Sequence, residues 1–89
     1  MNKYSVSYDL LTPGKDYDKL IRRIEALGGK RIEFSHWIIT TKTLDAKAIR
    51  DDLQRFLDAN DRLFVAGLTG EAAWCNLMTT DAETKQRLT

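Results

Sequence analysis

The chain has 89 residues, of which 43% are hydrophobic and 30% charged, and its formal net charge is +1. These totals predict one domain with a modest core, and the near-neutral charge argues against a strongly basic nucleic-acid binder. No apolar run reaches the roughly 18–20 residues of a membrane span. The single cysteine, Cys75, excludes an internal disulfide and a multi-cysteine zinc site. Because the N-terminus lacks a signal-peptide layout, we expect a cytoplasmic protein without membrane contact.

The first half of the chain predicts a strand, a turn and a helix. Residues 3–10 alternate between apolar and polar side chains, which is typical of a β-strand with one wet face. Pro13 and Gly14 predict a turn, and Asp16 is a suitable helix cap. Apolar residues then recur at helical spacing as far as Leu27, before two glycines end the helix.

The second half predicts further strands around one more helix. Residues 30–41 are rich in aromatic and β-branched residues, and they are long enough for two short strands. Asp45 is a suitable cap for a helix that extends to about Leu57, and residues 62–69 read as a strand with two apolar faces. Residues 72–78 are consistent with a short extra edge strand. The remaining residues, 79–89, are polar and we expect a frayed tail there.

This order predicts an α+β fold, specifically a ferredoxin-like βαββαβ sandwich with a mostly antiparallel sheet. Both helices would lie on one face of the sheet, and an extra C-terminal edge strand would extend it. The predicted domain covers residues 1–78, and residues 79–89 form the tail.

The alternation of the first strand predicts which face each side chain occupies. Tyr4, Val6, Tyr8 and Leu10 should face the helices, which leaves Asp9 on the opposite, uncovered face. An apolar surface left in water is unfavourable, by about 25 cal/mol per Å². We therefore hypothesise a two-fold homodimer that stacks sheet on sheet and brings two Asp9 side chains together.

Three roles for Asp9 remain open from the residues alone. It can begin the turn by accepting backbone N–H groups, it can bind a divalent cation, or it can form an interfacial carboxylate pair with its own copy. Mg²⁺ commonly uses one or two carboxylates together with waters and phosphates, so two Asp9 residues across a dimer axis could bind it.

The chain also resembles a known family in the order of several short motifs. They are the strand Tyr4–Asp9, a helix ending at Gly28, Phe34-Ser35-His36-Trp37, Leu44-Asp45-Ala46 and a strand after Asn60-Asp61. In these it resembles the small CRISPR-associated endoribonucleases and their relatives, the VapD toxins and the SinR-like proteins. The resemblance covers roughly residues 3–78 and looks closest to the SinR-like branch.

The resemblance implies a ferredoxin-like homodimer in which Asp9 binds a divalent metal such as Mg²⁺ at the interface. It implies catalytic roles for Asp9 and for Ser35, which matches a serine of the family's second strand. Some members are metal-dependent ribonucleases or deoxyribonucleases, and others are DNA-binding scaffolds. This sequence departs from the family where Leu10, Leu11 and a Pro-Gly turn replace an arginine-rich stretch, and in its near-neutral charge.

The charges are unevenly distributed along the sequence. Residues 15–31 carry six basic and three acidic side chains, whereas residues 45–61 carry three basic and five acidic ones. Two solvated helix faces explain this pattern; alternatively, the basic segment contacts phosphates. The candidate nucleic-acid-binding residues are Lys15, Lys19, Arg22 and Arg23.

We find no Ser-His-Asp pattern and no glycine-rich phosphate loop in the sequence. His36, the only histidine, is either a structural residue or a general base. Two functions follow as hypotheses. The first is a small dimer that binds RNA or DNA and cuts it with Mg²⁺, and the second is a non-enzymatic module that binds a protein partner.

Overall fold

The computed structural model describes residues 1–12 and 14–89, so the predicted Pro13 position of the first turn lies outside the described residues. The described residues form four strands and three helices. In chain order they are β1 (Asn2–Asp9), α1 (Asp18–Ala26), β2 (Gly29–Glu33), β3 (His36–Thr41), α2 (Ala46–Gln54), β4 (Arg62–Gly67) and α3 (Asp81–Leu88).

The strands form one four-stranded sheet in the order β2-β3-β1-β4, with antiparallel pairing throughout. β1 is a central strand, and its Val6 lies between Trp37 of β3 and Val65 of β4. The predicted α+β class is confirmed, and the architecture is compatible with a ferredoxin-like fold. None of the helices in the described residues is long and apolar enough to cross a lipid bilayer.

Local signals in the sequence explain where the helices begin and end. The Asp45 carboxylate accepts the Ala48 N–H at 2.8 Å and caps α2, as its residue type predicts. Asp16 is not the cap residue of α1; it accepts the Asp18 N–H at 2.8 Å, one residue before Tyr17 takes the cap position. Gly28 follows α1 with φ of +93°, a conformation that favours glycine.

The main core lies between the sheet and helices α1 and α2. The buried side chains in it are Val6, Tyr8, Leu20, Ile24, Trp37, Ile39, Ile49 and Leu53, and Tyr4 and Leu10 pack against them. The predicted helix-facing set of β1 is therefore confirmed. Within this core the Trp37 indole N–H donates to the Tyr8 hydroxyl at 3.0 Å, so both aromatic polar groups are satisfied.

The opposite face of the sheet carries a second, smaller core, which corrects the prediction that helices lie on one face only. Ile32, Ile38 and Leu88 are buried together there, with Leu68, Trp74 and Leu77 packed against them. Two of these side chains, Ile32 and Ile38, belong to the sheet itself. Their apolar surface would otherwise face water, which explains why the C-terminal segment folds back over this face.

The C-terminal segment differs from the prediction in two further ways. Residues 72–78 form no strand; their last amide, on Met78, donates to the Ile32 carbonyl oxygen at 2.9 Å. The expected frayed tail at 79–89 contains α3, whose cap residue Thr80 accepts the Glu83 N–H at 3.2 Å. The capping-box spacing of Thr80 and Glu83, together with the buried Leu88, favours helix over a free tail.

Candidate functional site

A surface depression of about 630 Å³ lies on the second face of the sheet, at the end of β1. We call it the Asp9 depression. Its polar lining includes Asp9, Glu33, Ser35, His36 and Arg62, and its apolar lining includes Phe34 and Phe64. The structure therefore brings together both residues that the resemblance implies as catalytic, Asp9 and Ser35.

Strand register explains how these side chains meet. Ser7 of β1 lies opposite His36 on one side and Phe64 on the other, and Asp9 lies opposite Arg62. Because directly opposed residues share a face, His36, Phe64 and Arg62 all project from the face that α1 and α2 leave uncovered. The C-terminal segment, residues 68–88, covers a different part of that face, around Ile38.

The two phenylalanines are unusually accessible for large apolar side chains. Phe34, in the turn between β2 and β3, is 83% exposed, and Phe64 of β4 is 63% exposed. The Ser35 carbonyl oxygen accepts the Tyr8 N–H at 3.1 Å, which fixes the β2–β3 turn against the end of β1. Two aromatic rings thus stand at the rim of a polar depression.

Asp9 itself makes one ion pair, with Arg62, at 3.5 Å between Oδ2 and Nη1, and both side chains are exposed. In the described part of the chain no group of three His, Cys, Asp or Glu side chains could hold a metal ion. One carboxylate with a guanidinium beside it does not fit a divalent cation within one protomer. The predicted Mg²⁺ ion would need a second copy of the chain to supply further carboxylates.

A different carboxylate organises the region that follows β1, and the sequence interpretation missed it. Asp61 accepts the Leu11 N–H at 2.8 Å, the Asp58 N–H at 2.9 Å and the Tyr17 hydroxyl at 2.8 Å. Burial alone would raise the pKa of Asp61, but the amide hydrogen bonds from Asp58 and Leu11 outweigh it and the pKa is lowered. The turn-forming role considered for Asp9 therefore belongs to Asp61.

The candidate nucleic-acid-binding residues lie elsewhere, on and just before α1, and three of the four are in ion pairs. Lys15 binds Asp58 at 2.6 Å, Arg22 binds Asp18 at 2.7 Å and Arg23 binds Asp52 at 2.7 Å. Lys19 is exposed. The hydrogen bond that Lys15 donates to Asp58 raises the pKa of Lys15, and the one that Arg23 donates to Asp52 lowers the pKa of Asp52 to about 2. Local acidic partners thus offset much of the charge on this helix.

His36 connects the Asp9 depression to a smaller cavity beside it. Its Nδ1 lies 2.8 Å from Glu33 Oε1, and its Nε2 lies 2.5 Å from Ser5 Oγ. Ser5, Glu33 and His36 belong to three different strands, so the sequence shows no serine–histidine–acid pattern. The alternation of side chains along a strand does predict part of this contact. Once β1 and β3 are paired, Ser5 and His36 lie on the same face of the sheet.

No family model matches the sequence.

Proposed function

We propose that this chain is a small nucleic-acid-associated protein that contacts single-stranded RNA or DNA at the Asp9 depression. The observation that carries the proposal is the exposure of Phe34 and Phe64 at the rim of a polar depression. Unpaired bases stack on exposed aromatic rings, with a gain of about 1–3 kcal/mol per base. The resemblance to the CRISPR-associated and VapD-type proteins supports this function, and the antiparallel α+β architecture is compatible with it.

The polar groups of the depression suit a single strand better than a duplex. Arg62 can pair with a phosphate, and the hydroxyls of Ser7 and Ser35 can bond to base edges or sugars. Since Asp9 and Glu33 add negative charge beside one arginine, few phosphates would be neutralised. Binding should therefore depend weakly on salt, with a slope that reflects about one phosphate contact.

Fluorescence anisotropy with a labelled single-stranded oligonucleotide tests the proposal. Phe34→Ala and Phe64→Ala should each weaken binding by roughly 5–150-fold, which corresponds to the loss of one stacked base. Met78→Ala is the matched control, because Met78 is also a large exposed apolar residue but lies outside the depression. Equal affinities for all three variants and the wild type would overturn the assignment of the binding surface.

The basic residues on and before α1 are a competing binding surface, and Lys19→Gln separates the two. If phosphates bind along α1, Lys19→Gln should weaken binding and reduce the salt slope by about one. If phosphates bind at the Asp9 depression, Arg62→Gln should weaken binding and reduce the salt slope, and Lys19→Gln should change neither.

The nuclease activity implied by the resemblance requires, in our proposal, a two-fold dimer. Two Asp9 carboxylates would then supply the ligands that one protomer lacks, with Ser35 beside them. Labelled RNA and DNA should be cut in Mg²⁺ but not in chelator, and Asp9→Asn should abolish cutting. Glu71→Gln, an exposed carboxylate change away from the depression, is the control.

A second candidate function is a non-enzymatic module whose sheet face docks a second copy of the chain. The same two exposed phenylalanines favour it, because burying them against a partner is stabilising. Light scattering should then give a dimer mass that Phe34→Ala and Phe64→Ala reduce to a monomer mass. The wild-type protein should bind no oligonucleotide, and this absence of binding distinguishes the module from the nuclease, which also needs a dimer.

A further inference from the structure

We propose that Ser5 is an activated nucleophile that reacts with short apolar esters, with His36 as its base and Glu33 as the residue that orients His36. This site adjoins the nucleic-acid surface proposed above and shares Glu33 and His36 with it, but Ser5 lines only the smaller cavity, and the proposed reaction goes beyond that function. It rests on the hydrogen bonds among three side chains and on the cavity into which they open.

The hydrogen bonds run in the order that nucleophilic catalysis needs. Glu33 Oε1 lies 2.8 Å from His36 Nδ1, and an ionised carboxylate can only accept, so Nδ1 carries the proton. In the neutral imidazole the other ring nitrogen, Nε2, is then an acceptor, and it lies 2.5 Å from Ser5 Oγ. Ser5 therefore donates its hydroxyl proton to Nε2, which is the arrangement of a serine activated by a general base.

The cavity beside Ser5 defines the class of substrate. It has a volume of about 310 Å³, and its apolar lining includes Ile32, Ile38, Leu68 and Trp74. Ser5, Glu33 and His36 also line this cavity, so the three hydrogen-bonded side chains face a mostly hydrophobic space. A short acyl chain or a phenyl group fits such a space, whereas a charged group would lose its hydration there.

The loop of residues 72–75 forms another wall of this cavity and offers further groups. In the part of the chain that the structure describes, no backbone N–H of these four residues donates to a backbone carbonyl oxygen. Such N–H groups are the donors that stabilise the oxyanion formed during attack on a carbonyl.

The proposed reaction is acyl transfer followed by hydrolysis. Ser5 Oγ forms a bond to the carbonyl carbon while its proton passes to His36 Nε2. The ester C–O bond then breaks, and the leaving alkoxide takes the proton from Nε2. Water repeats the sequence on the acyl-serine and releases the carboxylic acid, so no other reactant is needed.

A fluorophosphonate probe tests the nucleophile directly, because attack by an activated serine forms an O–P bond and expels fluoride. We expect a single adduct on the wild-type protein, located at Ser5 by peptide mapping, while Ser7 and Ser35 stay unlabelled. His36→Asn should slow labelling by about 100-fold or more, since a general base contributes about that much. No adduct, or an adduct elsewhere, overturns the proposal.

Glu33→Gln distinguishes an orienting role from a merely structural one. It should slow labelling by about tenfold and change the pH profile of the rate, because the ring nitrogen that carries the proton is no longer fixed. Glu71→Gln is the matched control and should label at the wild-type rate. In hydrolysis assays p-nitrophenyl butyrate should react and p-nitrophenyl palmitate should not; equal rates for the two esters would overturn the substrate class.

Circular dichroism and oligonucleotide binding complete the test. Ser5→Ala should keep the wild-type spectrum and the wild-type affinity for single strands while losing the adduct. A variant that loses only the adduct therefore reports on the Ser5 site. A variant that loses only oligonucleotide binding reports on the Asp9 depression. An unchanged labelling rate in a folded His36→Asn protein would show that His36 is not the base.

Discussion

Replacing Asp52 by asparagine should destabilise the protein measurably at neutral pH, because Asp52 ties α2 to α1. Both Asp52 oxygens accept from Arg23, at 2.8 and 2.7 Å, and Arg55 adds a third hydrogen bond at 2.9 Å. The Asp52 side chain is only 19% exposed, so water screens this pair less than a free surface pair.

The pKa of Asp52 gives the size of the effect and its dependence on pH. The hydrogen bond from Arg23 lowers this pKa from 3.8 to about 2. At 1.36 kcal/mol per unit, a difference of about 1.8 units corresponds to roughly 2 kcal/mol of folding free energy. Because the folded-state pKa is the lower one, this contribution is present above about pH 4 and is lost as the pH falls through about 2.

Thermal denaturation of the wild type and Asp52→Asn across this pH range checks the reasoning. At pH 7 the variant should melt roughly 8–15 °C lower, and the two proteins should converge near pH 2. Asp51→Asn is the matched control, since Asp51 lies on the same helix but pairs only with exposed Lys47 and Arg50. An equal loss in both variants, or a gap that persists at pH 2, would refute the assigned role of the Arg23–Asp52 pair.

Three further predictions concern the packing of the fold. Gly29→Ala should lower the free energy of unfolding, measured by chemical denaturation, by about 1–3 kcal/mol, because the new Cβ would lie 2.5 Å from Ile24 Cγ2. The control Gly67→Ala adds a Cβ that makes only ordinary contacts, so its stability should be nearly unchanged. Leu88→Ala should cost about 2 kcal/mol in the same assay and increase hydrogen exchange in residues 68–88; unchanged exchange would mean that this segment does not depend on Leu88. Thr80→Ala should cost about 1 kcal/mol through loss of the α3 cap, and unaltered exchange in α3 would contradict that role.

The first two-thirds of the fold could be predicted from the sequence because local and global signals agree there. Strict alternation in β1 gave the correct inner face, and Asp45 marked the start of α2. The C-terminal segment could not be assigned in the same way. Its helix is polar over most of its length, and its folding depends on Ile32 and Ile38, which lie some fifty residues earlier in the chain.

The candidate site was predicted in part. The position of Asp9 on the uncovered face followed from the alternation of β1, and Ser35 entered only through the resemblance. The Ser5–His36–Glu33 hydrogen bonds could not be predicted, because they depend on the register of β1 with β3 and on the bulge between Arg31 and Glu33. The ion pairs of Lys15 and Arg23 likewise depend on how the helices pack.

The central position of β1 has a consequence for how the protein folds as it is synthesised. β1 leaves the ribosome before the other three strands, yet one of its edges pairs with β4, where Tyr4 lies opposite Gly67. Until residues 62–67 have emerged, that edge presents unpaired N–H and C=O groups to any other extended segment nearby. A nascent chain in which β3 has emerged and residues 62–67 have not should therefore be the form most prone to aggregate.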